Sequence, residues 1–293
     1  MLTESASERF RDLDRWPIGQ VLEALWAGQS RAVAACTAAL APLGVAVEAA
    51  AVRLAASDTG RLVYVGAGSS GLLAAVDARE LGPTFAWPEA RLAILVADGL
   101  DLGRPLRGGP EDDAAAGATQ VAGLGCGAGD VVLGVSASGH SAFTVAAVAA
   151  ARQAGTLTIG IASNADGPLL AAAEHEVVAE TGEEVIAGST RLGAGTAQKL
   201  LLNLFSTALM TRLGAVHQNL MVNARPENAK LRRRAAAMVA RIAGADEDAA
   251  AAALARGGEV KTAVLLLAGW EKEAAAAALA AAGGSLRRVL ERA

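Results

Sequence analysis

Apolar residues recur along the chain with two spacings, one typical of helices and one typical of buried strands. The stretch 17–56 has helical spacing and places Leu22, Leu25 and Trp26 on one face. Beyond it, short apolar runs alternate with helical patterns. The apolar runs lie at 62–65, 92–97, 130–135, 156–162 and 175–179, and the helical patterns lie at 72–80, 111–124 and 142–154. This alternation predicts parallel strands joined by helices. Uninterrupted apolar runs indicate a sheet covered on both faces, so we expect an α/β fold, a three-layer α/β/α sandwich with a parallel sheet.

The pattern changes in the last third of the chain. A long, mostly apolar helix is predicted at 196–213 and a second at 228–243, and three short helices follow at 246–255, 260–268 and 272–281. We therefore expect an N-terminal helical segment at 1–56, an α/β domain at 57–240 and a small three-helix domain at 241–293.

Composition excludes several classes of function. The 293 residues are 53% hydrophobic, which excludes a disordered chain, whereas 3% aromatic residues and a net charge of −4 argue against nucleic-acid binding. Two cysteines and three scattered histidines offer neither a disulfide framework nor metal-ligand spacing, so no metal is expected. The charged N-terminus has no signal-like apolar stretch, and the apolar run at 200–210 is too short for a membrane span. These features predict a cytoplasmic protein.

Two turns rich in glycine and serine follow predicted strands, one at 66–71 and one at 136–141. Ligands of open parallel sheets bind beyond the carboxyl ends of the strands, where the next helix presents free N–H groups to an anion. We expect a phosphate or sugar-phosphate site here, its candidate binding residues being Gly68, Ser69, Ser70, Ser136, Ser138, Gly139, His140 and Ser141. The alternative is a pair of tight turns whose serines only cap helices.

The first turn also fits the dinucleotide pattern G-x-G-x-x-G, through Gly66, Gly68 and Gly71. That pattern calls for an acidic residue about 20 residues further on, to bind a ribose. Asp98 comes later than expected, 27 residues after Gly71. A dinucleotide-dependent enzyme is therefore the weaker alternative.

The chain resembles the N-acetylmuramic acid 6-phosphate etherases, which contain a sugar isomerase (SIS) domain, over nearly its whole length. The matching segments are 60–68, 77–85, 111–114, 188–192, 195–200 and 218–222. The segments 3–4 and 12–14 and the helical tail at 246–290 are also similar to the family. Such enzymes cleave the ether between the sugar C3 oxygen and D-lactate. The resemblance implies a cytoplasmic homodimer that recycles cell-wall amino sugars and needs no metal or nucleotide, its site lying near the dimer interface.

The resemblance also assigns the catalytic residues. Glu80 matches the family's proton donor and Glu111 its second acid or base, a pair suited to an elimination that removes a proton at C2 and protonates the leaving oxygen. We hypothesise that Glu111 takes the C2 proton and Glu80 serves the lactate oxygen, although the roles could be reversed. Ser189 and Lys199 would contact the ligand, and Glu184 is a further candidate carboxylate.

The chain departs from the family at two binding positions. Leu72 and His140 stand where the two serine turns usually carry arginine, and Gly193 stands where lysine is common. These residues cannot bind an anion through two hydrogen bonds as an arginine does, so the sequence leaves the identity of the substrate undetermined. The alternatives are a non-catalytic phosphosugar sensor, like the glucokinase regulatory proteins, and an aldose–ketose phosphosugar isomerase.

Overall fold

The computed structural model describes residues 1–101, 103, 105, 107–226 and 228–292. They form two compact units, the first made of Met1–Ala78 and Glu89–Ser206, the second of Arg79–Pro88 and Thr207–Ala293. These boundaries differ from the predicted ones at 56/57 and 240/241. The N-terminal helix belongs to the α/β unit, and the stretch 207–240 belongs with the C-terminal helices.

A five-stranded parallel sheet forms the centre of the first unit. Its strands are β1 (Leu62–Gly66), β2 (Leu92–Val96), β3 (Val131–Val135), β4 (Leu157–Ala162) and β5 (His175–Val178). Their order is β2-β1-β3-β4-β5, so the chain leaves β1 in one direction and returns to its other side at β3. This reversal creates a topological switch point between β1 and β3, where open α/β sheets bind their ligands.

Among the described residues, six helices begin in the first unit. They are α1 (Ile18–Ala55), α2 (Gly68–Phe85), α3 (Ala114–Leu124), α4 (Ala142–Gln153), α5 (Pro168–Ala172) and α6 (Gly193–Arg212). One face of the sheet buries valines of β1 and β3 against α3, α4 and α5. On the other face α1 packs along β3, β4 and β5. The predicted three-layer α/β/α sandwich is confirmed.

Two glycines lie side by side in the middle of the sheet. Gly134 of β3 and Gly160 of β4 are partners in the strand register. A Cβ on Gly134 would lie 2.5 Å from Val148 of α4, and one on Gly160 would lie 3.1 Å from the Cβ of Ala173. Neighbouring side chains therefore occupy the space that larger residues would need at this rung.

Helix α1 is long and apolar. Of the residues that the structure describes, it is the one helix with the length and composition to cross a membrane. Ten of its residues are buried, and its packing on three strands is that of a core helix. Its N-terminal half nevertheless exposes large side chains, including Leu22 and Trp26, which are 60% and 74% exposed.

The second unit is helical. It contains α7 (Ala229–Ala243), α8 (Glu247–Gly257), α9 (Val260–Leu267), α10 (Lys272–Ala281) and α11 (Leu286–Leu290), with a small antiparallel ladder of β6 (Val216–His217) and β7 (Leu220–Met221). The three predicted short helices are present, and α11 is a fourth that the sequence did not indicate. Helix α2 also continues through Gly82 and Pro83, where an end was predicted, and its last turns bury Leu81 and Phe85.

Candidate functional site

The two serine turns lie next to each other at the switch point. Gly66 and Val135, the last residues of β1 and β3, are register partners, so both turns begin at the same edge of the sheet. A pocket of about 420 Å³ opens there, a size suited to a small ligand. It is lined by Glu4, Ala67, Gly68, Ser69, Ser70, Arg107, Gly108, Glu111, Ser136, Ala137, Ser138, Gly188 and Thr190.

The first turn is tight because two glycines approach each other. A Cβ on Gly66 would lie 2.8 Å from the Cα of Gly71, so neither position has room for a side chain. Helix α2 begins at Gly68, and its first N–H groups have no partner within the helix. Ser69 lines the pocket, and the Ser70 hydroxyl donates to Gln198 Oε1 at 3.0 Å. This helix start can accept an anion.

The second turn is held by its own hydroxyls. Ser136 Oγ accepts from the Gly139 N–H at 3.1 Å, and Ser138 Oγ accepts from the His140 N–H at 3.0 Å. Ser141 caps α4, accepting from the Thr144 N–H. Both Ser136 and Ser138 line the pocket.

Five of the eight predicted turn residues thus line the pocket, whereas Gly139, His140 and Ser141 do not. The His140 side chain is exposed, and its Nδ1 lies 2.9 Å from the Ser138 carbonyl oxygen, to which it donates. Gly139 packs against the backbone of Gly167. Their ligand contacts remain predictions.

Glu111 is the predicted catalytic residue that the structure places in the pocket. It lies in a single 3-10 turn, Gly109–Asp112, ahead of α3 rather than inside the helix predicted at 111–124. Asp113 caps α3 by accepting from the Ala116 N–H at 2.8 Å, which fixes the end of that turn. Partial burial raises the pKa of the Glu111 carboxyl, and the negative charge of Asp112 raises it further. A carboxyl with a raised pKa is suited to proton transfer.

Glu80 lies in the second unit, and its side chain is exposed. Its role as proton donor therefore remains a prediction from the resemblance.

Two charged residues of the pocket were not anticipated. Arg107 comes four residues before Glu111, and its Nε donates to both carboxylate oxygens of Asp98, at 2.9 and 3.0 Å. This contact raises the pKa of the guanidinium and engages the acid that was considered as a ribose ligand. Glu4 enters the pocket from the N-terminal segment. A basic residue close to the predicted acid was the available signal for Arg107, whereas nothing in the residue spacing indicated Glu4.

Some residues of the segment 188–200 line the pocket and others do not. Gly188 and Thr190 line the pocket, but Ser189 and Lys199 do not. Lys199 is half-buried and donates to Asn203 Oδ1 one turn along α6. The ligand contacts predicted for Ser189 and Lys199 stay predictions.

Glu184 has a structural role. Its Oε2 accepts from the Gly193 N–H at 2.9 Å and its Oε1 accepts from the Ala194 N–H at 2.8 Å. The buried carboxylate thus caps the N-terminus of α6, where it also complements the helix dipole. A catalytic role for Glu184 finds no support in these contacts.

A buried carboxylate joins the helix of the first turn to the rest of the unit. Asp77 of α2 accepts from the Tyr64 hydroxyl of β1 at 2.9 Å, from Asn203 Nδ2 at 2.7 Å and from the Ser206 hydroxyl at 3.2 Å. Burial raises the pKa of Asp77, while these donors and the charge of Lys199 oppose the rise. The network connects α2 to β1 and α6.

Potential metal ligands are not grouped in the part of the chain that the structure describes. Among the described residues, no three or more His, Cys, Asp or Glu side chains come together in a way that could bind an ion. The polar groups of the pocket are hydroxyls, backbone N–H groups, two carboxylates and one guanidinium.

Both a protein-family model and solved structures match this chain. The SIS domain model matches residues 118–208. A phosphoheptose isomerase of known structure from Francisella tularensis aligns with 67% of this chain and all of its own, at 18% identity and a TM-score of 0.48.

Curated relatives match almost the whole chain. The N-acetylmuramic acid 6-phosphate etherase of Deinococcus radiodurans is 47% identical over 262 residues, covering 89% of this chain and 85% of its own. The etherase of Rubrobacter xylanophilus is 42% identical over 90% of this chain and 87% of its own, and that of Streptomyces avermitilis is 41% identical over 90% and 84%. The chain therefore belongs to the N-acetylmuramic acid 6-phosphate etherase family.

Proposed function

We propose that the protein is a carbon–oxygen lyase that cleaves the D-lactyl ether of N-acetylmuramic acid 6-phosphate. The products would be N-acetylglucosamine 6-phosphate and D-lactate. Family membership supports this reaction. The structural observation that carries it is the half-buried Glu111 carboxyl in one pocket with the serine turns.

The reaction needs two proton transfers. In the open-chain sugar the C1 aldehyde acidifies the C2 proton, which the Glu111 carboxylate removes. The electron pair of the C2–H bond forms the C2–C3 double bond as the C3–O bond breaks, and Glu80 protonates the departing lactate oxygen. Water then adds, its oxygen to C3 and a proton to C2.

The polar groups of the pocket suit a substrate with two anions. Hydroxyls of Ser69 and Ser138 and the N–H groups at the start of α2 are donors for the phosphate. The Arg107 guanidinium bonds to Asp98, and its remaining N–H groups would donate to a carboxylate such as that of the lactyl substituent. Arg107 would thus supply a cation in a pocket whose turns lack the usual arginines.

The test is D-lactate release from N-acetylmuramic acid 6-phosphate in water enriched in ¹⁸O. We expect release by the native protein, with the label entering the sugar. Glu111→Gln and Glu80→Gln should each lower kcat by about 10²- to 10⁴-fold, the usual effect of losing a general acid or base. Glu89→Gln, at an exposed glutamate outside the pocket, is the matched control.

Two results would contradict the proposal. Tight binding of a hexose phosphate without lactate release would indicate a sensor, and ketose formation without lactate release would indicate an isomerase. Wild-type release by Glu80→Gln would exclude its acid role while leaving the reaction intact.

We also propose a cytoplasmic homodimer. The support is a stripe of exposed apolar residues on α1, formed by Ile18, Leu22, Trp26, Val33 and Leu40, which recur at intervals of four and seven. Exposed apolar residues that share one helix face are typical of a protein interface.

Light scattering during gel filtration tests the dimer. Trp26→Glu should give a monomer, whereas Val52→Glu, at an equally exposed position outside the stripe by helical spacing, should not. A native monomer, or a dimer that survives Trp26→Glu, would contradict this interface.

A further inference from the structure

The N-terminal segment 1–4 is fixed beside the pocket. Thr3 is fully buried, and its hydroxyl oxygen accepts from Asn164 Nδ2 at 3.1 Å. The Leu2 N–H donates to Asn164 Oδ1 at 3.1 Å, and the Gly188 N–H donates to the Thr3 carbonyl at 3.1 Å. The bonds on either side of Thr3 therefore set the position of the next residue, Glu4.

The same contacts connect this segment to the second serine turn. Asn164 Nδ2 also donates to the carbonyl of Ala137 at 3.1 Å, and Ala137 lies between the two serines that line the pocket. A single buried amide thus bonds both to Thr3 and to the turn.

The Glu4 carboxylate lies against a glycine that leaves it room. Gly188 has a φ of +71°, and a Cβ at this position would lie 2.9 Å from Glu4 Oε2. A side chain at 188 would push the carboxylate away from its place in the pocket lining.

A carboxylate in this position selects for particular ligand groups. When ionised it only accepts hydrogen bonds, and it repels a phosphate. The serine turns and the start of α2 supply donors, so the pocket has a donor side for an anion and acceptors at Glu4 and Glu111. Uncharged donors of the sugar, its hydroxyls or its acetamido N–H, are the groups that a carboxylate can bind.

We infer that Glu4 binds these uncharged donor groups of the sugar phosphate and thereby fixes the direction in which the ligand lies. The inference rests on the proposed function, because it takes an amino-sugar phosphate as the ligand. Glu4 would be a specificity residue, and the Thr3–Asn164 contact would hold it in position.

Calorimetric titration with two probes tests this role. N-acetylglucosamine 6-phosphate carries the sugar donors, whereas inorganic phosphate carries only the anion. Glu4→Ala should weaken sugar-phosphate binding roughly 10- to 100-fold, the loss expected for a hydrogen bond to a charged group. Phosphate binding should stay the same or tighten, which also shows that the variant is folded. Glu4→Gln, which keeps one acceptor, should fall in between.

Glu8→Gln is the matched control, since Glu8 is an exposed glutamate of the same stretch that pairs with Arg11 outside the pocket. Glu4→Ala with native affinity for the sugar phosphate would overturn the inference, and so would an equal loss for both probes. The proposed function is judged separately. If the native protein binds the sugar phosphate but releases no D-lactate, the lyase assignment fails, and the titrations still decide the role of Glu4.

Discussion

Replacing Tyr64 with phenylalanine should destabilise the first unit through one hydrogen bond. Tyr64 is fully buried, and its hydroxyl donates to Asp77 Oδ2 at 2.9 Å. Phenylalanine keeps the ring and opens no large cavity, so the change isolates the loss of the donor. Asp77 retains the donors from Asn203 and Ser206, both of which bind its other oxygen.

The size of the effect follows from the charge and burial of the acceptor. Asp77 is 2% exposed, so water cannot replace the missing donor. A hydrogen bond to a charged group contributes about 1.5–3 kcal/mol, and we expect a loss of about 2 kcal/mol in the free energy of unfolding at neutral pH. For a unit of this size that loss corresponds to a decrease in Tm of roughly 4–8 °C.

The effect should depend on pH with a definite sign. Burial raises the pKa of Asp77, and the Tyr64 hydroxyl is one of the groups that lower it, so the phenylalanine variant raises it further. The variant thus penalises the ionised carboxylate. The difference in stability should be largest where Asp77 is ionised and should shrink as the pH falls through its raised pKa.

Scanning calorimetry of both proteins at pH 7 and at mildly acidic pH measures these values. The same substitution in an Asp77→Asn background is the control, because there the acceptor carries no charge and the hydroxyl should contribute less. A Tm within 1 °C of native at pH 7, or an equal loss in the Asp77→Asn background, would refute the reasoning.

Two further predictions follow from the charges of the first unit. Asp112→Asn removes a negative charge that raises the pKa of Glu111, so the acidic limb of the pH profile of kcat/KM for lactate release should move to lower pH. If this limb does not move, the ionisation of Glu111 does not determine it. Asp130→Asn breaks the ion pair with Arg61 (2.8 Å) and should lower the free energy of unfolding at pH 7 by about 2–3 kcal/mol, measured with urea, because both side chains are largely buried. The pKa of Asp130 is lowered from its ordinary 3.8. The stabilisation by the ion pair is therefore complete above pH 3.8 and disappears as the pH falls through the lowered pKa of Asp130. If Asp130→Asn lowered the free energy of unfolding equally in strong acid, the cause would not be the ion pair.

The sheet and the serine turns could be predicted because local sequence determines both. Fully buried parallel strands need uninterrupted apolar runs, as in Val131–Val135, and the tight turn after β1 needs glycine at positions 66 and 71. These requirements leave a visible pattern. The continuation of α2 through Pro83 was missed because burial of Leu81 and Phe85 outweighs the local preference to end the helix.

The charged part of the site depends on contacts that are distant in sequence. Glu4 lines the pocket, and the residue before it, Thr3, bonds to Asn164, which is 161 residues away. Glu184 looked like a candidate carboxylate in the sequence, and only its bonds to the N–H groups of Gly193 and Ala194 identify it as a cap. No periodicity records such pairings, so the sequence indicated the serine turns of the pocket more completely than the acids around them.

The paired glycines in the sheet have a consequence for how this sequence can change over evolutionary time. At Gly134 a neighbouring atom already occupies the place of a first side-chain carbon, and at Gly160 the nearest atom would lie only 3.1 Å from it. Any substitution there enlarges the residue. A side chain at position 134 requires that Val148 move or become smaller, and one at position 160 requires that Ala173 give by a few tenths of an ångström. Substitutions at these two strand positions are therefore coupled to substitutions at the residues packed against them. In a protein with 33 glycines, every glycine confined in this way tolerates fewer substitutions.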